Sequence, residues 1–137
     1  MLGALGVCLA LAAVPDQPVR FVAVQRFTLA WTHSIEKVRW EEDYVVRPGP
    51  SGPQLHAVAA RVRGSGAGME PPEDARLRDG WYEYAPAVEV VDALRLTRSE
   101  FTPDYAWCTE FDGCRPLAAL LPSDRGVTLL SACRAPN

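Results

Sequence analysis

Apolar and polar residues alternate along most of this chain, which is the pattern of half-buried β-strands. One run has Phe27, Leu29, Trp31 and His33 at alternate positions, and a second has Val38, Trp40, Glu42, Tyr44 and Val46. The apolar positions change from odd to even between Trp31 and Val38, so the pattern predicts a turn or bulge near 34–37.

The same pattern predicts further strands at Leu55–Arg63, Trp81–Tyr84, Val88–Leu96 and Val127–Cys133, with a helix as the alternative for Val88–Leu96. The prolines and glycines of Arg47–Pro53 (RPGPSGP) predict a loop that cannot pair as a β-strand. Asp112-Gly113 predicts a hairpin turn. Short strands with frequent turns favour an all-β chain. We expect a single antiparallel β-sandwich or partly open barrel of about seven short strands over residues 20–134.

The first fourteen residues, MLGALGVCLALAAV, carry no charged side chain. This run is too short to span a bilayer as a helix, and it has the size of the apolar part of a secretory signal. We therefore interpret residues 1–14 as a signal-peptide-like segment and expect a periplasmic or secreted protein. The alternatives are a membrane anchor, if the segment stays uncleaved and forms the only membrane contact, or a buried first strand or helix of a cytosolic domain.

The cysteines are related to the cellular compartment in which the protein is expected to lie. Loss of the leader with Cys8 would leave Cys108, Cys114 and Cys133. An exported chain meets an oxidising compartment, so we expect a disulfide between Cys114 and Cys133. Cys108 with Cys114, across a short hairpin, is the alternative, and three reduced cysteines are a further one. A zinc site is disfavoured because the chain has no Cys-x-x-Cys pair.

Composition narrows the function classes. The chain has 137 residues, 48% of them hydrophobic, and a formal net charge of −3. Its sequence pI near 5.4 argues against a nucleic-acid partner. No residue pattern implies a cofactor, and no nucleophile–base spacing points to an enzyme.

The densest polar cluster is Thr32–Glu36 followed by Trp40-Glu41-Glu42. If the two strands form a hairpin, His33 could approach Glu42, and the pair could bind a small ligand or a cation. The alternative is a buried polar network that only stabilises the hairpin. The glycine loop Gly64–Gly68 is not a phosphate loop because no Lys-Ser/Thr follows it.

Several segments, FTLAWTHSIE at 27–36, WEEDY at 40–44 and GAGM at 66–69, resemble the bacterial family named as domain of unknown function 1850. Gly80-Trp81 and the later cysteines are also similar to that family. The resemblance points to six positions as candidate ligand-binding residues: His33, Ser34, Glu36, Glu42, Gly66 and Gly68.

The resemblance also implies a small exported protein, often encoded beside tripartite (TRAP-type) secondary transporters. We therefore expect an accessory or binding module whose partner is a TRAP-type transporter component or its solute-binding protein. The alternatives are a small ligand- or cation-binding protein that uses His33 and Glu42, and a hydrolase with an unrecognised site.

Overall fold

The computed structural model describes residues 3–32, 37–63 and 74–136. Within these ranges the chain forms twelve β-strands and one 3-10 turn at Leu117–Ala119. The strands are β1 (Leu5–Leu11), β2 (Arg20–Val22), β3 (Arg26–Thr32), β4 (Arg39–Gly49), β5 (Gly52–Arg63), β6 (Arg76–Arg78), β7 (Trp81–Tyr84), β8 (Val90–Val91), β9 (Leu94–Thr97), β10 (Ala106–Thr109), β11 (Gly113–Pro116) and β12 (Val127–Arg134). No helix in these ranges has the length and apolar character to cross a membrane.

The strands build two antiparallel sheets. The smaller sheet has the order β2-β1-β12-β9, and the larger has the order β11-β10-β3-β4-β5-β7-β6, with β8 beside β5. The sheets face each other where β1 contacts β4 and β12 contacts β5. The predicted all-β sandwich is therefore confirmed. Strands such as β2, β6 and β8 have only two or three residues, too few to show an alternating pattern.

The core lies between the two sheets. Val7, Leu9 and Leu130 of the smaller sheet are fully buried against Phe27 and Leu29 of the larger one. The Phe27 ring stacks on the rings of Trp107 at 4.4 Å and Tyr44 at 5.4 Å. Aromatic stacking of this kind adds to the stabilisation that burial provides.

The change of parity between Trp31 and Val38 corresponds to the β3–β4 hairpin. Thr32 pairs with Arg39, and the register continues to Arg26 opposite Val45. Phe27, Leu29 and Trp31 therefore share the inner face of the larger sheet with Trp40, Glu42 and Tyr44, as the alternation predicts.

The predicted loop at Arg47–Pro53 is wrong. The β4–β5 ladder continues through Pro48 opposite Pro53 to Gly49 opposite Gly52, and only two residues form the turn. Hydrogen-bonded and non-hydrogen-bonded pairs alternate along an antiparallel ladder. Proline has no backbone N–H, so two prolines that face each other at a non-hydrogen-bonded pair remove no hydrogen bond from the ladder. Gly52 has a φ of 128°, which favours glycine after the turn.

The single strand predicted at Val88–Leu96 is divided between the two sheets. Val90 pairs with His56 of β5, whereas Leu96 pairs with Thr128 of β12. The chain crosses from one sheet to the other at Asp92-Ala93. Val88 is consequently 68% exposed although Leu96, which has the same parity, is 6% exposed.

The apolar N-terminal segment is a strand of the smaller sheet. Strand β1 pairs with β12 along its whole length and with β2 on its other side. Val7 and Leu9 have no exposed surface. This arrangement corresponds to the alternative interpretation, a buried first strand. A leader that is cleaved off cannot also be an inner strand of this sheet, so the signal-peptide prediction has no support here.

The predicted Cys114–Cys133 disulfide is corrected by the structure. Cys133 pairs with Cys8, and Cys114 pairs with Cys108, which is the alternative noted from the sequence. Cys114 and Cys133 lie in different sheets, whereas Cys8 and Cys133 are diagonal neighbours on β1 and β12. The prediction failed because it removed Cys8 together with the leader.

Candidate functional site

Of the six candidate ligand-binding residues, Glu42 is the one within the described part of the chain. His33, Ser34, Glu36, Gly66 and Gly68 lie outside the described residues. The contact proposed between His33 and Glu42 therefore stays a prediction. The site below is built from Glu42 and its described neighbours alone.

Strand β4 places Glu42 on the inner face of the larger sheet. It pairs with Leu29 of β3 on one side and with Ala60 of β5 on the other. The other inward positions of β3, β4 and β5 are apolar or aromatic: Phe27, Leu29, Trp31, Trp40, Tyr44, Val46, Leu55, Ala57, Ala60 and Val62. A carboxylate on such a face is costly unless it gains hydrogen bonds or a charge partner.

Aromatic rings stand around this carboxylate. Trp31 pairs with Trp40 across the strands, and their rings are nearly parallel at 6.3 Å. Tyr105 contacts Trp31 with ring centroids 5.8 Å apart. On the far side Tyr84 pairs with Ala60, whose small side chain leaves the space between Glu42 and Tyr84 open. We call the set Trp31, Trp40, Glu42, Tyr44, Tyr84 and Tyr105 the Glu42 site.

Glu42 interacts with three tyrosines of the site. The Tyr44 hydroxyl donates a hydrogen bond to Glu42 Oε1 at 2.8 Å. Burial together with the Glu42 charge and this bond raises the pKa of Tyr44 well above its usual range. Burial and then the same charge raise the pKa of Tyr84 and of Tyr105 as well. The phenols are therefore neutral, and the carboxylate is the source of negative potential in the site.

The site has unused polar groups among the described residues. No described basic side chain lies within ion-pair distance of Glu42. The buried Trp40 Nε1 finds no hydrogen-bond acceptor in the described ranges. Trp31, Trp40, Glu42, Tyr84 and Tyr105 are half-buried rather than closed off from solvent. A ligand that enters can therefore meet both the rings and the carboxylate.

The opposite face of the same strands has a different character. Arg61 Nε donates to Glu41 Oε1 at 2.7 Å, and Arg61 NH1 donates to Asp43 Oδ2 at 3.0 Å. Arg39 also donates to Glu41, and Thr28 donates to Asp43. The Arg61 guanidinium is thus paired with two carboxylates, Glu41 and Asp43, in one ion-pair network.

The described residues of the Glu42 site offer an organic cation both aromatic ring faces and a carboxylate. Ring faces carry negative quadrupole potential and attract ammonium or guanidinium groups, and a carboxylate adds full charge. Among the described residues, no group of three or more His, Cys, Asp or Glu could hold a metal ion.

The sequence pattern assigned neither Tyr84 nor Tyr105 to the site. Both belong to it because Tyr84 ends β7 and Tyr105 directly precedes β10, and these two strands flank the central strands in the sheet order. Their distance from Glu42 along the chain is more than forty residues, so alternation within a segment carried no signal for the contact. Trp31 and Trp40, assigned to the core, are half-buried and line the site.

One family model matches the chain, over residues 27–117, and its description is a domain of unknown function (DUF1850). That range contains strands β4 to β11, all but the first residue of β3, and every residue of the Glu42 site. No curated protein and no solved structure matches the chain.

Proposed function

We propose that this chain, which belongs to the DUF1850 family, is an extracytoplasmic binding module that holds an organic cation at the Glu42 site. The observation that carries the proposal is a half-buried carboxylate whose neighbours are aromatic rings and a phenol hydrogen bond. Binding, rather than bond-making chemistry, is what this arrangement favours.

The energetics support a cation of low hydration. A carboxylate on an apolar face has lost part of its water, and a positive partner offsets that cost. Cation–π contacts add about 0.5–2 kcal/mol, with the larger value where the cation is desolvated. Alkylammonium groups leave water more readily than small metal ions, so several rings together with one carboxylate favour them.

The disulfides support a location outside the reducing cytosol. Two bridges, Cys8–Cys133 and Cys108–Cys114, use every cysteine of the chain. Disulfides form and persist in the periplasm or outside the cell, and are rare in the cytosol. We propose the periplasm or the exterior as the site of action.

A TRAP-type transporter component or its solute-binding protein is the partner we propose for the module. This part rests on the family resemblance alone, and the geometry of the Glu42 site does not depend on it. The experiment is crosslinking in membranes of the producing cells, followed by purification of the tagged chain. Recovery of a transporter component supports the association, and its absence from the crosslinked material contradicts it.

The binding proposal is tested by calorimetric titration with tetramethylammonium and with potassium at equal ionic strength. We expect saturable binding of tetramethylammonium and none of potassium. Replacement Glu42→Gln keeps the shape of the site but removes its charge. It should weaken binding by roughly tenfold or more, since each 1.4 kcal/mol is a factor of ten.

The matched control is Glu83→Gln. Glu83 lies opposite Arg61 in the β5–β7 ladder, one residue along from the pair of Ala60 and Tyr84. Its side chain is 44% exposed and lies on the face of the larger sheet away from Glu42. This variant should bind tetramethylammonium like the parent protein. Equal affinities in the Glu42→Gln and Glu83→Gln variants, or potassium binding as strong as that of tetramethylammonium, would contradict the proposed site.

A further inference from the structure

The hairpin of β10 and β11 carries a disulfide at the border of the larger sheet. Cys108 lies directly opposite Cys114 in the ladder, and the two are six residues apart. Strand β11 is the last strand of the sheet and is exposed along its whole length, Cys114 included. Cys114, at one end of this bond, is therefore exposed to solvent.

The second disulfide has a different setting. Cys8 and Cys133 lie on β1 and β12, which are the two inner strands of the smaller sheet. Both residues are half-buried, and the bond joins positions 125 residues apart. Attack on a disulfide depends on access to the sulfur atoms, so the two bonds differ in the property that governs exchange.

Opening the hairpin bond leaves the hairpin attached to the protein. Trp107 of β10 is 2% exposed, and Leu117, which directly follows β11, has no exposed surface. The pairs Ala106 with Pro116 and Trp107 with Arg115 lie on the core side of the bond. What the disulfide restrains is the tip beyond it, from Thr109 to Gly113.

That tip forms one wall of a cleft. The cleft has a volume of about 900 Å³, and its lining includes Thr109, Glu110 and Phe111 of the tip together with Leu5, Val24 and Phe27. Phe111 is 94% exposed at the cleft mouth. The position of the tip therefore contributes to the shape of this cleft.

We propose that Cys108–Cys114 is a site of reversible thiol–disulfide exchange that sets the wall of this cleft. A thiolate of a dithiol donor attacks Cys114 Sγ, the Cys108–Cys114 bond breaks, and the electron pair leaves on Cys108 Sγ, which takes up a proton. The second thiol of the donor then resolves the mixed disulfide. The chain gains two electrons and two protons, and the donor becomes a disulfide.

The experiment treats the folded, oxidised full chain with increasing dithiothreitol, blocks free thiols with iodoacetamide, and maps the labelled cysteines by mass spectrometry. We expect Cys108 and Cys114 to be labelled at a rate roughly tenfold or more above Cys8 and Cys133, because access to sulfur controls the exchange. The far-ultraviolet dichroism should stay unchanged while only this pair is labelled. Labelling of Cys8 and Cys133 first, or of all four together, would overturn the proposal.

A second measurement tests whether the disulfide changes the binding of a fluorescent probe in the cleft. The probe 1-anilinonaphthalene-8-sulfonate is added to the oxidised chain, to the selectively reduced chain and to the double variant Cys108→Ser, Cys114→Ser. The reduced chain and the double variant should share a fluorescence titration that differs from that of the oxidised chain. Phe111→Ala should alter it, whereas Phe101→Ala, at a phenylalanine 88% exposed elsewhere, should not. Identical titrations for oxidised and reduced chains would show that the bond does not set the cleft wall.

Discussion

Glu42 and Asp43 are neighbours in the sequence, but the strand turns their side chains to opposite faces of the larger sheet. Asp43 meets Arg61 and Thr28, which neutralise and hydrogen-bond it. Glu42 meets a tyrosine hydroxyl and aromatic rings. The same side-chain chemistry therefore serves a structural network on one face and a candidate binding site on the other.

The charge of Glu42 is tested by the titration of the tyrosines. Replacement Glu42→Gln should lower the pKa of Tyr84 and Tyr105 toward the usual value, because the negative charge that opposes their ionisation is gone. Burial remains, so the shift is partial, and Tyr44 should stay high. Absorbance at the phenolate band between neutral and strongly alkaline pH measures this. An unchanged titration curve would show that Glu42 does not face these rings.

Asp43 makes the protein sensitive to acid. Its burial raises the pKa of the carboxyl, but the hydrogen bonds and charge of Arg61 and the bond from Thr28 outweigh that and lower it below the usual value of 3.8. The folded pKa is thus below the unfolded one, so the stabilisation is present above the unfolded pKa and is lost as pH falls through the folded pKa.

The measurement is urea unfolding at a series of pH values from 7 down to 2. The free energy of unfolding of the parent protein should fall more steeply below pH 4 than that of Asp43→Asn. Asp16→Asn, at an exposed carboxylate, should follow the parent curve. A parent curve parallel to that of Asp43→Asn would contradict the role of the Arg61 contacts.

At the scale of elements, the strand pairs depend on close backbone approach as well as on side chains. Gly6 of β1 is buried, and a Cβ atom there would lie 2.7 Å from the Phe21 ring and clash with the Val22 carbonyl oxygen of β2. Strand β2 has only three residues and no second neighbour in the sheet. Its attachment to β1 therefore relies on this glycine.

Gly6→Ala should destabilise the fold by about 1–3 kcal/mol, the usual cost of a forced backbone shift in a packed region. Gly49→Ala is the matched control, because the atoms near its Cβ belong to the flexible Gln54 side chain, which can move aside. Thermal unfolding of both variants measures the difference. Equal melting temperatures would show that β2 does not rest on β1 as closely as described.

The sequence predicts the elements whose pattern repeats within one segment. The alternation in Phe27–Trp31 and Trp40–Tyr44 predicts the β3–β4 hairpin, because every second residue of each segment is one that faces the core. The crossing of the chain between β8 and β9 is not predictable in this way, since Val90 and Leu96 keep one parity although they join different sheets. The sequence also does not predict the whole Glu42 site. Tyr84 and Tyr105 come close to Glu42 through the order of the strands in the sheet, which alternation within a segment does not reveal.

At the scale of the whole molecule, the smaller sheet brings the two ends of the chain together beside one strand from its middle. The larger sheet consists of β3 to β8, β10 and β11. These strands lie within residues 27–117, the range that the family model matches, except that β3 begins one residue earlier. The smaller sheet joins β1 and β2 from the start to β12 from the end, and β9 from the middle of the chain completes it. The Cys8–Cys133 disulfide fastens that junction, and a loop of this length gives about 5 kcal/mol on the chain-entropy model.

The role of β1 leads to a prediction about the mature protein. A chain that begins at Pro15 lacks Val7 and Leu9, which are fully buried and contribute roughly 1.5–3 kcal/mol each. It also lacks the Cys8–Cys133 bond. Together these losses rival the whole stability of a typical domain, about 5–15 kcal/mol. The shortened chain should therefore show no cooperative unfolding transition.

The control for the shortened chain is the double variant Cys8→Ser, Cys133→Ser, which keeps β1 and loses only the crosslink; it should still unfold cooperatively, at a lower temperature. The intact mass of the protein isolated from its own cells should include Leu5–Leu11, because the fold uses these residues as the strand between β2 and β12. A native mass that starts at or after Ala13, combined with a stable chain beginning at Pro15, would mean that the smaller sheet closes without β1 and that the opening segment is a leader after all.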